Sequence, residues 1–197
     1  MYANVVAWVR DAWLDIQSRR ENWSFLLTDP DTAGLTESVL EYTPGGLGIS
    51  DLKLWDRTSF KIYDSGVGIA SQYPLQEIAL DKFDRLYLTG APADGQPSVF
   101  AIGRNDELYI GPAPNSADWV LTYRYFTEPV VLVANTDTPP MPRDLQMAIV
   151  YRAAMFHAAH EEADAEYKTM EGKFNEVMYR IDNKYGPTVE WGGTPPA

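Results

Sequence analysis

The chain has 197 residues, with 16 basic and 28 acidic side chains, a formal net charge of −12 and no cysteine. Disulfide scaffolds, thiol redox chemistry and cysteine-ligated zinc are excluded, and the acid excess argues against wrapping nucleic acid or lying on an anionic membrane. At 45% hydrophobic and 22% charged residues it reads as a folded chain of about one domain.

No window approaches the ~18 apolar residues of a spanning helix, and Met1-Tyr2-Ala3-Asn4 shows neither a basic nor an apolar leader region, so no secretory signal is expected. Residues 1–27 read as helical, 28–142 as strands and loops, and 143–185 as helical again. Residues 28–142 hold 7 basic and 16 acidic side chains, so most of the acid excess falls in this middle stretch. No internal repeat is visible.

In the first helix Val5, Trp8, Val9, Ala12, Trp13 and Ile16 recur at helical spacing and form one apolar stripe. Asn4 is placed to cap its start, and Asp15 to pair with Arg19 one turn on. Trp23, Phe25, Leu26 and Leu27 follow at once and read as a core plug. The middle alternates as strands do. Phe60 and Ile62, with Val67 and Ile69 beyond Asp64-Ser65-Gly66, suggest two short strands. Leu75–Leu80 reads as another strand, followed by a tight turn or short helix at Asp81–Asp84. Ser98–Gly103 and Glu107–Ile110 flank Arg104-Asn105-Asp106 as a hairpin. Trp119–Phe126 gives the clearest alternation, with Trp119, Leu121, Tyr123 and Tyr125 on one face.

Pro139-Pro140-Met141-Pro142 sets up a new helix. From Leu145 to Ala159, 12 of 15 residues are apolar, which predicts a helix buried by its own domain or by a neighbouring subunit. Ala163, Tyr167, Met170, Phe174, Val177, Ile181 and Tyr185 then form a narrow seam suited to antiparallel packing on it. The turn expected near His160–Asp164 lacks glycine and proline, so a single bent helix is the alternative. Residues 186–197 form a Gly- and Pro-rich arm with one apolar anchor, Trp191.

Chemistry-bearing motifs are sparse. His157 and His160 share a helix face, but no third ligand stands at a diagnostic spacing, so they read as a solvent-facing helix end and no metal is expected. Gly45-Gly46-Leu47-Gly48 and Gly66-Val67-Gly68 match neither phosphate-binding pattern and read as turns. There is no G-x-S-x-G elbow, and Asn22-Trp23-Ser24 is a sequon without a secretory context. No catalytic constellation, and no cofactor, is expected. Six Trp and 12 Tyr favour protein interfaces or, as the rival reading, a carbohydrate- or receptor-binding face on a virion. A small hydrolase with paired carboxylates is the third reading, and it would require an acid with a raised pKa in a cleft.

Taken in order, several phrases resemble the head-to-tail adaptor (connector, or gatekeeper) proteins of tailed bacteriophages. They are Val9-Arg10-Asp11-Ala12-Trp13-Leu14-Asp15-Ile16-Gln17, Asn22-Trp23-Ser24-Phe25-Leu26, Phe83-Asp84-Arg85-Leu86 and Gly95-Gln96-Pro97-Ser98. Glu107–Pro114, Leu121–Tyr125 and Asp137–Pro142 continue the series, and the alanine-rich helix closes it. The resemblance implies an α+β fold: a helical bundle from the N- and C-terminal helices (1–27 and 143–185) with an inserted antiparallel β-rich module (28–142) and a C-terminal arm (186–197). It implies no catalytic activity. It implies instead a ring, usually twelvefold, in the virion neck, assembled in the host cytoplasm. Its partners would be the portal protein, tail or nozzle proteins and further copies of itself, with DNA passing through its channel unbound and no membrane involved. Trp8, Trp13, Trp23, Phe156 and Phe174 are the candidate core anchors. Val189, Trp191, Pro195 and Pro196 are the candidate partner-binding residues of the arm.

Overall fold

The computed structural model describes residues 2–90, 94–134 and 136–186. The fold is mixed α+β, and the chain divides into two compact units. One is Thr28–Thr127; the other joins Met1–Leu27 to Glu128–Ala197.

In the second of these units the long helices are α1 (Tyr2–Ser18), α3 (Met147–His160) and α4 (Asp164–Tyr185), while the short helix α2 (Leu80–Phe83) belongs to the strand unit. The α1 stripe folds as its spacing predicts at its C-terminal half: Ala12, Trp13 and Ile16 are buried. Its start differs, because helix already begins at Tyr2 and Asn4 lies within it rather than capping it. α1 packs on α3, and α3 on α4. Arg152 of α3 ties the first pair, with Nη2 donating to Asp15 Oδ1 at 3.3 Å and Nε 3.0 Å from Oδ2. Asp15 also holds Arg19, at 3.2 Å. The ring of Phe174, from α4, lies under both the Arg19 and the Arg152 guanidinium groups. Phe174, Val177, Met178 and Ile181 form the buried seam of α4.

The turn between α3 and α4 is a helix-ending motif built without glycine. Glu162 adopts φ 54°. The Ala163 N–H donates to Ala158 O at 2.9 Å and the Glu162 N–H to Ala159 O at 3.4 Å, the paired bonds of a Schellman cap. Glycine is usual at the left-handed position, since a Cβ there costs roughly 1–2 kcal/mol. Glu162→Gly is therefore expected to raise stability by about 1 kcal/mol. An unchanged or lowered midpoint in urea would show that Glu162 contributes a contact outweighing its backbone strain.

The middle boundary falls earlier than the sequence suggests. Residues 128–142 read from sequence as the end of the strand module, yet they belong with the helices. The reason lies in one side chain. Gln17, wholly buried on α1, offers its carboxamide to both backbone groups of Val130: its Oε1 accepts from the Val130 N–H at 2.9 Å and its Nε2 donates to Val130 O at 3.1 Å. Trp13 Nε1 donates to the same carbonyl at 2.8 Å, and Arg10 Nε to Leu132 O at 3.0 Å. Glu128–Ala134 thus runs along α1 as a strap, its main chain satisfied by helix side chains instead of a neighbouring strand.

In the strand unit, β1 (Asp31–Gly34), β9 (Trp119–Tyr123), β4 (Lys61–Asp64) and β5 (Tyr73–Pro74) form one antiparallel sheet in that order. β2 (Glu41–Tyr42), β8 (Leu108–Gly111), β7 (Val99–Ile102) and β6 (Gln76–Glu77) form a second, in which β6 and β7 alone run parallel. β3 (Leu52–Trp55) pairs with β10 (Tyr125–Thr127). The expected hairpin is β7–β8, with Asp106 in the left-handed conformation at its turn. The expected long strand 119–126 is instead two, β9 and β10, which pair with different partners on either side of Arg124. Arg124 is fixed there by its N–H to Ser59 Oγ at 2.9 Å and its Nη2 to Asp56 at 2.9 Å. Leu75–Leu80 is not one strand: β6 covers two residues, and helix α2 (Leu80–Phe83) follows, continued by a π-helical turn to Leu88. Val67 and Ile69 lie not on a strand but in a turn held by the Asp64 carbonyl and in a 3₁₀ segment held by the Gly68 carbonyl.

Leu35, Trp55, Phe60, Ile62, Phe100, Leu108, Ile110, Leu121 and Tyr123 build the core between the sheets. Phe60 meets Phe100 at 4.5 Å and Trp55 at 5.5 Å between ring centroids. The Trp55 N–H finds Asp106 O at 2.9 Å, so the largest side chain of this core is buried without an orphaned donor. Gly111 is small for a reason, since a Cβ on it would stand 2.9 Å from both Phe83 and Tyr87.

Candidate functional site

The candidate core anchors divide by position. Trp13, Trp23 and Phe174 are buried, whereas Trp8 and Phe156 are only half-buried. Trp13 and Trp23 both donate their indole N–H groups, Trp13 to Val130 O and Trp23 to Ile16 O. Phe156 lies beneath the Arg152 guanidinium, 4.7 Å from its centroid. The candidate arm residues Val189, Trp191, Pro195 and Pro196 lie outside the described residues.

His157 and His160 converge on Trp8 rather than on one another's ligands. Their rings stand 5.3 and 5.6 Å from the indole. Among the described residues no group of three or more His, Asp or Glu side chains is arranged to hold a metal. The glycine clusters form turns: Gly45–Leu47 is a 3₁₀ segment closed by Gly48 at φ 81°, and Gly66 and Gly68 close the turn after β4.

The displaced titrations are explained by the fold itself. Burial pushes Tyr123 up to about 12, with Asp31 and Tyr125 adding to the effect. Burial is also the leading cause of the raised values of Tyr42, Tyr73, Tyr109 and Tyr125. Glu107 and Asp137 move the opposite way. Asn105 donates to Glu107 from its side chain and its backbone. Asp137 accepts the N–H groups of Ala134 and Val133 at 2.8 and 2.7 Å. A carboxylate lowered by hydrogen bonds is a structural anion, not a proton donor poised for catalysis.

Asp137 closes the strap onto itself, and this has a pH signature. Its folded value lies below its ordinary 3.8, so its stabilising contribution is complete above that value and is lost as pH falls through the folded one. Asp137→Asn is expected to flatten the acid limb of stability, measured by denaturation as pH falls from about 5 through the ordinary carboxylate value and below it. An identical acid limb in the variant would remove Asp137 as a contributor.

Large apolar side chains are exposed in both units, Val67, Ile69, Leu86 and Leu88 in the strand unit among them, and in the helical unit they gather around two hollows beside Val5. Between α1 and α3 lies an apolar groove of about 280 Å³ lined by Val5, Trp8, Val9, Val150, Ala153, Ala154 and His157. On the other flank of Val5 and Val9 a second hollow, of about 300 Å³, is walled by Leu132, Val133 and Ala134 of the strap with Arg10 and Asp137. Val150 is 53% and Val133 74% exposed. Among the described residues, the helix that reads as apolar nearly all round packs on α1 and α4 and leaves Val150 exposed. Sequence reasoning placed Trp8 in the core and missed Gln17, Val130 and Leu132. The signal for Gln17 was present, since a polar residue four after Trp13 continues the apolar stripe.

These features define a mixed α+β protein with exposed apolar hollows in its helical unit. A family model described as SU10 adaptor protein matches residues 2–190, and the chain belongs to this family of bacteriophage head-to-tail adaptors, structural proteins of the virion. A search of curated proteins gives no match.

Proposed function

We propose that this chain is the ring-forming adaptor that joins the portal to the tail and forms part of the channel through which DNA passes. The observation that carries the reading is the exposed apolar surface of the helical unit, from Val5 and Val150 to the strap at Val133, on a chain of an adaptor family. Large apolar patches mark sites of protein association, and a closed ring covers such a patch by repeating one heterologous contact around an axis. In this reading α1, α3 and α4 act as the helical bundle of a subunit in a ring of twelve, located in the neck of the virion and assembled in the host cytoplasm. Portal, tail or nozzle proteins and neighbouring copies are its partners. Residues 186–197 act as the portal-contacting arm, with Val189, Trp191, Pro195 and Pro196 as its contact residues. The strand unit, with 7 basic and 14 acidic residues in 28–127, supplies a surface that DNA traverses without being held. The carbohydrate-binding rival loses its main support, because Trp13, Trp23 and Trp55 are spent in cores.

Cryo-electron microscopy of the parent particle, or of the chain mixed with its portal, tests this reading directly. Val133→Asp provides the matched perturbation. The residue is highly exposed, so the fold should be unaffected, while a charge placed in a desolvated contact is strongly unfavourable. Loss of ring occupancy at an unchanged melting temperature is expected. Full occupancy with Val133→Asp would place the ring contact elsewhere, and a particle without the chain at its neck would end the adaptor reading.

A further inference from the structure

A ring closed by one heterologous contact needs two different surfaces on every copy, one received by the other. The helical unit offers a receiving surface. Beside the strap lies the hollow of about 300 Å³, with Val5, Val9, Leu132 and Val133 on its walls and Arg10 and Asp137 among them. Two concave surfaces cannot fill one another, so an apolar projection must come from elsewhere on the neighbouring copy. The strand unit carries one. The chain after β4 runs Gly66-Val67-Gly68-Ile69, and Val67 and Ile69 are 69% and 70% exposed. Turns are ordinarily built from polar and small residues, yet this one presents its two largest side chains to solvent. With Val133 they are the most exposed large aliphatic side chains among the described residues.

The projection is internally braced. Asp64 O accepts from the Val67 and Gly68 N–H groups at 3.1 and 2.8 Å, Asp64 Oδ1 from the Gly66 N–H at 2.8 Å, and Gly68 O from the Ser71 N–H at 3.0 Å. A loop already ordered loses less entropy on contact. Charge agrees with the fit. In the hollow, Arg10 Nε donates to Leu132 O, and Asp137 Oδ2 accepts the Val133 and Ala134 N–H groups. At the loop, Asp118 lies on the Val67 side, its carbonyl taking the Ser65 N–H at 2.9 Å, and Lys61 lies on the other, sharing a cleft with Ile69. None of these four charges has an ion-pair partner among the described residues. The hollow thus holds one cation and one anion, and the projection is flanked by one of each.

We infer that Val67 and Ile69 of one copy insert into the hollow at Val5, Val9 and Val133 of the next, with Asp118 facing Arg10 and Lys61 facing Asp137; the inference rests on the ring reading above. Each copy gives its strand-unit loop to one neighbour and receives the other neighbour's loop in its helical unit, as a heterologous contact requires. Burial of the aliphatic side chains supplies the attraction. The two charge pairs fix the orientation, because a reversed seating would set like charges together.

The chain has no cysteine, so Val67→Cys and Val133→Cys each introduce a single thiol at an exposed position of the full chain. The two single variants are mixed, assembled onto portal-bearing heads and oxidised, and the products are separated under denaturing conditions without reductant. The expected result is a covalent dimer from the mixture, none from either variant alone, and a ladder of multimers from the double variant. Adding Asp118→Lys to the Val67→Cys chain should lower the dimer yield severalfold at low salt, with the melting temperature unchanged. Cryo-electron microscopy of the same particles reports occupancy of the neck. Full occupancy without the mixed dimer overturns the inference and leaves the ring reading standing. Dimers from one variant alone show like surfaces meeting and overturn it as well, as does a bond within one chain of the double variant. A yield unchanged by Asp118→Lys overturns the seating against Arg10. A neck without the chain ends the adaptor reading, and this contact with it.

Discussion

Truncating Trp13 to alanine is expected to cost about 3–5 kcal/mol, the range for removing a large aromatic side chain from a packed core. Trp13 is wholly buried among α1, Phe25 and the strap. Two losses combine. The indole leaves a cavity that neighbouring side chains refill only in part, and Val130 O loses a donor at 2.8 Å. Trp13→Phe separates them, since it keeps most of the apolar volume and removes the N–H; it should cost less than half as much. Urea denaturation of the two variants measures the difference. A thermal shift within noise for Trp13→Ala would remove Trp13 from the core and with it the packing of the strap on α1.

The sequence was most legible where one physical signal dominated. The stripe Ala12, Trp13, Ile16 and the seam Phe174, Val177, Ile181 follow from helical periodicity, because burial on one face leaves a period that sequence alone displays. The β7–β8 hairpin was legible from its turn residues. Strand partners were not. The Trp119–Phe126 alternation is continuous, and nothing local shows that Tyr123 and Tyr125 pair with different strands; the break at Arg124 is made by Asp56 and Ser59, some 65 residues away. The strap failed for a related reason. Val130–Val133 has strand composition, but its hydrogen bonds go to Arg10, Trp13 and Gln17, a long-range solution with no local signature. Trp8 shows the limit of the stripe argument, because periodicity identifies a face without saying how much of it the same chain covers. The resemblance in ordered phrases reached the family, yet the exposed apolar side chains around Val5, Val133 and Val150 required the fold.

Gln17 offers the sharpest test of how the strap is held. Its carboxamide pairs with the N–H and C=O of Val130 as a neighbouring strand would, and its own burial is complete. Gln17→Leu conserves volume and removes both bonds. Leaving a buried polar group unpaired costs about 1–3 kcal/mol; Val130 is 43% exposed, so water recovers part of this, and a total of about 2 kcal/mol is expected. Amide exchange at Val130 and Leu132 should accelerate with little change at Ala12 or Ile149, because the strap loosens before the helices part. Gln17→Glu supplies the pH dependence. Protonated, the carboxyl can accept from the Val130 N–H and donate to its carbonyl. Ionised, it buries a charge facing a carbonyl oxygen, so the folded-state pKa rises above the ordinary value of about 4.3. The sign follows: near-native stability below about pH 4, lost progressively as pH rises through the raised folded value. At neutral pH the Glu variant should therefore be less stable than the Leu variant, and near pH 4 the order should reverse. If both variants match the parent at every pH, the carboxamide does not hold the strap, and the early boundary between the two units needs another cause.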